Sequence, residues 1–177
     1  MSAFPLSAPD DAVVTDLPGL ETGRTSAGED VVSNSKSGEA LISICVPVWR
    51  DSADALLSTL SRMKGAEQCT LLLFDDGSHD PYLLRQLTRQ ILRYPGPARL
   101  IASPRNSGRS HARNRLFELA ETEWILFLDA DMQPDDEAFL DRYLDAIDAL
   151  AEPAIVAGGF SLKHARPTRK TRLHAAQ

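Results

Sequence analysis

Two groups of acidic residues stand apart in the sequence: Asp75-Asp76, followed by Gly77-Ser78, and Asp129 with Asp131, separated by Ala130. Each directly follows a short apolar run, Thr70–Phe74 or Trp124–Leu128. Carboxylates crowded together repel one another unless a cation or a set of donors compensates them. Residues two apart at the end of an extended strand project the same way, so Asp129 and Asp131 can face one hard cation. Mg2+ or Mn2+ suits such oxygen ligands and fills its shell with phosphate oxygens and water. A cation held there would bind a diphosphate leaving group and neutralise its developing charge. The alternative is that either residue caps the next helix. In Asp75-Asp76-Gly77-Ser78, a carboxylate could accept from a base or ribose while Gly77 makes a tight turn; the alternative is a turn plus helix cap. Asp80, before Pro81, reads as a cap.

Other side chains suit the same chemistry. Trp49 follows an apolar run and offers an indole on which a nucleobase can stack; the competing role is a half-buried rim aromatic. Arg109 and Arg113 flank a helix start after Gly108, where backbone donors and guanidinium groups suit phosphate; they could equally be surface arginines. His79 and His111 fall near these segments without forming a site. There is no Ser-His-Asp order, no Walker loop and no G-x-G-x-x-G after a strand.

These residues need elements to position them. Five apolar runs of strand length occur: Leu41–Val48, Thr70–Phe74, Arg99–Ala102, Trp124–Leu128 and Ala154–Phe160. Several are apolar throughout, as in a parallel sheet covered on both faces. Helical spacing fills the gaps. Leu56, Leu57, Leu60 and Met63 follow Asp51 and Ser52, which can cap. Leu83, Leu84, Leu87 and Ile91 follow Asp80-Pro81. Ala112, Leu116, Leu119 and Ala120 form a third stripe, and Phe139 through Leu150 a fourth, starting near Pro134-Asp135. The alternation predicts an open, mostly parallel α/β sheet with helices on both faces and right-handed crossovers. In such sheets ligands bind beyond the carboxyl ends of the strands, where all the polar segments named above fall.

The 177 residues suit one domain. Residues 1–39 are rich in Ser, Gly, Pro, Asp and Thr without an apolar period, and the expectation for them is disorder. The domain is expected over residues 40–162, followed by a tail at 163–177 with five basic and no acidic residues. A net charge of −6 argues against nucleic acid as a partner. Cys45 and Cys69 lie in apolar stretches and read as buried thiols. With no basic region leading into an apolar run at the N-terminus, and no run near the ~20 residues of a membrane span, the expected location is the cytoplasm.

In order along the chain, the segments Pro47-Val48-Trp49, Asp75-Asp76-Gly77-Ser78-His79-Asp80, Asn106-Ser107-Gly108-Arg109-Ser110-His111-Ala112-Arg113-Asn114 and Asp129-Ala130-Asp131 resemble the motifs of the family 2 glycosyltransferases. The resemblance covers about residues 40–160. It implies the GT-A fold, whose nucleotide-binding half is Rossmann-like, and transfer of a sugar from a nucleotide-sugar donor, UDP-linked, to a glycan or other hydroxyl acceptor with inversion. It also implies roles. Trp49 would stack on uracil and Asp76 would read the base. Pro47, Asn106 and Arg109 would lie on the nucleotide, with Arg109 touching base or diphosphate. Asp129 would sit near ribose or diphosphate, and Asp131, with Asp129, would hold Mn2+ or Mg2+. Relatives often work at a membrane face, so peripheral membrane contact is compatible, although nothing in this sequence anchors to one.

Two departures qualify the resemblance. Arg50 stands where the family continues to Asn. Inverting transfer needs a general base, which the family draws from a later acidic motif, and no Asp or Glu follows Glu152. The base is therefore expected outside this chain, and the alternative function is a non-catalytic nucleotide-sugar-binding fragment. A receiver domain, which also holds Mg2+ on acidic strand ends, is a third reading, but it gives the Asn106–Arg109 helix start no role.

Overall fold

The structure, a computed structural model, describes residues 18–150, 152 and 154–158. Four of the five apolar runs are strands: β3 (Ile42–Val48), β4 (Cys69–Asp75), β5 (Ala98–Ala102) and β6 (Trp124–Phe127). They are parallel in the order β5-β4-β3-β6. Side chains alternate across this sheet. Ile44, Val46, Val48, Leu71 and Leu73 enter one core, while Cys45, Leu72, Phe74 and Ile101 enter a second core on the opposite face. Burial on both sides is why these strands read as unbroken apolar runs.

Helices α1 (Asp54–Leu60), α2 (Pro81–Arg93) and α4 (Phe139–Asp148) cover the first face through Leu56, Leu57, Leu60, Leu84, Leu87, Ile91 and Leu140. Helix α3 (Arg109–Leu119) covers the other through Ala112 and Leu116. The chain steps outward from β3 to β4 to β5 and then crosses back to place β6 on the far side of β3. Right-handed crossovers in opposite directions require α1 and α2 on one face and α3 on the other. The reversal makes the gap between the carboxyl ends of β3 and β6 a topological switch point. The register there is uneven. β3 and β6 pair as far as Cys45↔Phe127, whereas β3 and β4 pair three residues further, to Val48↔Asp75.

The expectation of disorder for residues 1–39 does not hold where the structure describes them. β1 (Glu21–Arg24) and β2 (Asp30–Ser33) form an antiparallel hairpin, and β2 pairs antiparallel with β5, with Val31 opposite Ile101. The hairpin is ordered by partners remote in sequence. The Asn34 amide donates to the carbonyls of Ile91 at 2.9 Å and Gly96 at 3.0 Å, and its oxygen accepts from Ala98 N at 3.0 Å. β1 is exposed throughout, so no apolar pattern marks it. Residues 1–17 and the basic tail at 163–177 lie outside the described residues.

The fifth apolar run departs as well. Residues 154–158 form no strand, Ile155 is fully exposed, and 159–160 lie outside the described residues. Apolar composition alone does not make a strand where no neighbour supplies a ladder. At α1 the expected caps are not used: Asp51 accepts from Ala53 N at 2.9 Å, and Ala53, in the left-handed region, takes the N-cap position. Asp80 caps α2 as expected, accepting from the amides of Tyr82 and Leu83. Among the described residues no helix is long and apolar enough to cross a membrane.

Candidate functional site

Pro47 sits inside a central strand, where a missing N–H normally costs a ladder bond. The register removes that cost. Val48 O accepts from Asp76 N on the β4 side, and Cys45 O accepts from Leu128 N on the β6 side. The alternation therefore turns Pro47 toward β6, beyond the point where that ladder has ended. After β3 the chain turns sharply, with Arg50 at φ 54. Trp49 is 54% exposed, and the Arg50 guanidinium lies 5.0 Å from its ring centroid. Arg50 N donates to Ser78 Oγ at 2.8 Å, and the Ser78 hydroxyl donates to Asp75 Oδ1, so Ser78 ties the end of β3 to the end of β4. Burial raises the Asp75 carboxyl above the usual carboxylate range, against the hydrogen bonds from Ser78 that favour its charged form.

Asp76 is buried and its two oxygens are divided. Oδ1 accepts from Ser107 N at 2.9 Å and Oδ2 from Gly108 N at 2.7 Å, while its backbone carbonyl accepts from the Asn106 amide at 3.0 Å. A carboxylate accepting two backbone N–H groups at a helix start is a strong, charge-assisted anchor. The loop entering α3 is thereby fastened to the end of β4. Gly77 makes this approach possible: its φ is +69, and a Cβ there would overlap the backbone of Arg105 and Asn106.

Asp129 and Asp131 cap no helix, because α4 begins only at Phe139 with Ala138 at its N-cap. Asp129 is instead held by α3. Arg113 Nη2 donates to Oδ1 at 2.6 Å, and Arg109 Nη2 donates to Oδ2. Partial burial pushes the Asp129 carboxyl up, but the bonds from Arg109 and Arg113 outweigh it, and the group titrates below the usual range. Asp131 is exposed and adds to the field that holds Arg109 charged. Arg113 also lies over the Phe127 ring at 5.7 Å, and its buried Nε has no hydrogen-bond partner.

Trp49, Asp76, Asn106, Arg109 and Asp129 thus belong to one connected constellation, and Asp131 acts on it through the charge of Arg109. Trp49 touches Arg50, Arg50 is tied through Ser78 to Asp75, the adjacent Asp76 holds Gly108, and Arg109 next to Gly108 holds Asp129. Sequence spacing under-weighted Arg113 and Ser78; the i,i+4 spacing of Arg109 and Arg113 was the available signal, since such a pair shares one helix face. His79 and His111 are exposed; His111 meets Phe74 edge-to-face at 6.4 Å. Cys45 and Cys69 are buried free thiols pushed up to about 12 by burial. A separate apolar cleft bounded by Ile42, Trp124, Tyr143 and Ile147 lies at the amino ends of β3 and β6, away from these groups.

A divalent cation would find few protein ligands. Among the described residues no three His, Cys, Asp or Glu side chains converge on a point. What the strand end offers is exposed Asp131 and arginine-held Asp129, which fits a cation that takes about one or two carboxylates and completes its shell with phosphate and water.

Comparison with known proteins bears on the whole arrangement. No curated protein matches the sequence. The fold is similar to that of S. aureus TarS 1–349 in complex with UDP-GlcNAc, at 22% identity and a TM-score of 0.50 over 60% of this chain and 31% of that one. It is also similar to mannosyltransferase PcManGT from Pyrobaculum calidifontis in complex with GDP-Man and Mn2+, at 19% identity and a TM-score of 0.52 over 66% of this chain and 34% of that one. The chain spans about a third of the length of these structures. The sheet is accordingly the α/β, Rossmann-like arrangement of GT-A glycosyltransferases. Residues 43–174 match the family model for glycosyl transferase family 2, a stretch that takes in Pro47, Trp49, Asp76, Asn106, Arg109, Asp129 and Asp131, and on that match the chain belongs to this family.

Proposed function

We propose that the chain binds a UDP-linked sugar at the switch point between β3 and β6, as the donor-binding part of a glycosyltransferase that transfers the sugar to a hydroxyl acceptor with inversion. The observation that carries this reading is the Arg109–Asp129–Arg113 cluster beside exposed Asp131, where two cations and two carboxylates meet at the carboxyl edge of a parallel sheet. Such a mixed cluster suits a diphosphate and a divalent cation together. Two proteins of similar fold hold a nucleotide sugar, one of them with Mn2+, in keeping with this assignment.

In this proposal Trp49 stacks on the base, and Pro47 shapes the strand end beneath it. Asp76 keeps Ser107 and Gly108 in place and offers its remaining lone pairs to the base, with Asn106 steadying the same loop. Arg109 turns from Asp129 to the diphosphate. Asp131, joined by Asp129, holds Mn2+ or Mg2+. The cation, when bound, supplies charge neutralisation on the departing diphosphate.

Calorimetric titration with UDP, with and without Mn2+, tests the site. Binding is expected to require the metal and to be lost in Asp131→Ala; equal affinity with and without metal would refute it. Turnover is a separate question, answered by incubating the protein with UDP-sugars and a hydroxyl acceptor and analysing the products.

A further inference from the structure

Helix α3 carries Arg109 and Arg113, so whatever fixes α3 fixes those guanidinium groups. Two anchors have been described: Asp76, at the amides of Ser107 and Gly108, and Asp129, at Arg109 and Arg113. A third comes from the amino-terminal hairpin. Glu29, in the turn between β1 and β2, is 3% exposed and takes Arg115 in a two-pronged pair, with Nε to Oε1 at 2.9 Å and Nη2 to Oε2 at 2.8 Å. The Thr25 hydroxyl donates to Oε2 at 2.7 Å and orients the carboxylate. Arg113 and Arg115 are two residues apart, so their side chains leave the helix roughly 200° apart. Asp129 and Glu29 therefore grip α3 from opposite sides. Glu29 lies outside the residues matched by the family model, which begins at 43.

We propose that Glu29 is a positioning residue for the nucleotide site: through Arg115 it sets the rotation of α3, and with it the placement of Arg109 and Arg113 against Asp129. The geometry favours this over simple attachment. A bidentate guanidinium–carboxylate pair fixes orientation as well as distance. The pair also spans 86 residues of sequence, joining the hairpin to a helix that otherwise meets the sheet through only Ala112 and Leu116 among its buried side chains. This role rests on the nucleotide-binding reading above.

The experiment compares the full chain with Glu29→Gln and Arg24→Ala. Arg24→Ala removes contacts internal to the hairpin, to Gly28 O at 3.2 Å and Asp30 Oδ1 at 3.3 Å, and touches neither Glu29 nor Arg115. At a temperature where far-UV circular dichroism shows each variant folded, UDP affinity in the presence of Mn2+ is expected to fall roughly 2- to 30-fold in Glu29→Gln, and to stay within twofold of wild type in Arg24→Ala even if its Tm drops. Should Glu29→Gln fail to fold, Glu29→Asp, which keeps the charge but shortens the reach, is expected to show a smaller loss of affinity. Hydrogen exchange read without nucleotide is expected to quicken over residues 107–113 in the Glu29 variant. Lowered Tm with unchanged affinity, or unchanged exchange over 107–113, overturns the positioning role. Wild-type protein that binds no UDP overturns the nucleotide reading instead, and the exchange measurement then decides the role of Glu29 in fixing α3.

Discussion

Asp76 and Gly108 are 32 residues apart in sequence, yet the Asp76 carboxylate accepts from the Gly108 amide at 2.7 Å. Its other oxygen accepts from Ser107 N at 2.9 Å. An acidic residue at the end of β4 thus acts as the anchor for the start of α3. Asp76→Asn replaces one acceptor oxygen with an NH2 that confronts a backbone donor. Hydrogen bonds to charged groups contribute about 1.5–3 kcal/mol each, so urea unfolding is expected to show a loss of at least that size. A loss below about 0.5 kcal/mol would mean that water replaces the carboxylate without penalty.

Gly77→Ala is expected to be more damaging than Gly28→Ala. Both glycines have positive φ, +69 and +81, so both substitutions carry the left-handed cost of about 1–2 kcal/mol. Only at Gly77 would the new Cβ meet backbone, that of Arg105 and Asn106, whereas at Gly28 nothing lies within 4 Å. The difference in Tm between the two variants measures what the close approach of the two loops demands.

Trp49→Ala is expected to leave stability nearly unchanged, because the side chain is half exposed and packs chiefly against Arg50. Nucleotide affinity is expected to fall by about 1–3 kcal/mol, the range for an aromatic stacking platform. Unchanged UDP affinity by calorimetry would take Trp49 out of the site.

The acid limb of stability follows from Glu29 and Asp129. Hydrogen bonding from Arg115 holds the Glu29 carboxyl below its ordinary value of 4.5, and Asp129 is also lowered. A carboxyl depressed by folding contributes stability that is present above its unfolded value and lost as pH falls through its folded value. Asp75, raised by burial, works the other way and relieves part of its own penalty as it protonates. Thermal melts are therefore expected to show wild type losing stability from about pH 4.5 downward. Glu29→Gln should lose less over the same range, so that the two curves converge in acid. Parallel curves would show that Glu29 does not titrate abnormally.

The central sheet was legible because β3, β4 and β5 are buried on both faces, and such burial writes itself as continuous apolar sequence. Asp80-Pro81 was legible as a cap because its bonds are local. The hairpin was not, since β1 exposes every side chain and its order comes from Asn34 and Glu29 reaching residues 57 to 86 positions away. The candidate site was half legible. Residue type and strand-end position nominate Trp49, Asp76, Arg109, Asp129 and Asp131 for it, but the pairing of Asp129 with two arginines joins residues 16 and 20 positions apart, which no local pattern encodes. The described part of the fifth run, 154–158, misled because its apolar residues match strand composition, while Ile155 is fully exposed and no strand pairs with it.

Pro47 bears on how the acidic loop after β6 is held. On the side of β3 that faces this loop, the last hydrogen bond is Leu128 N to Cys45 O, and Pro47 offers no donor to continue the ladder. The chain beyond Leu128 can therefore peel away from the sheet without orphaning an amide of Pro47. Asp129 is left steered by the guanidinium groups of Arg109 and Arg113 rather than locked by main-chain pairing, a mounting that can yield to a charged guest while the sheet behind it stays still.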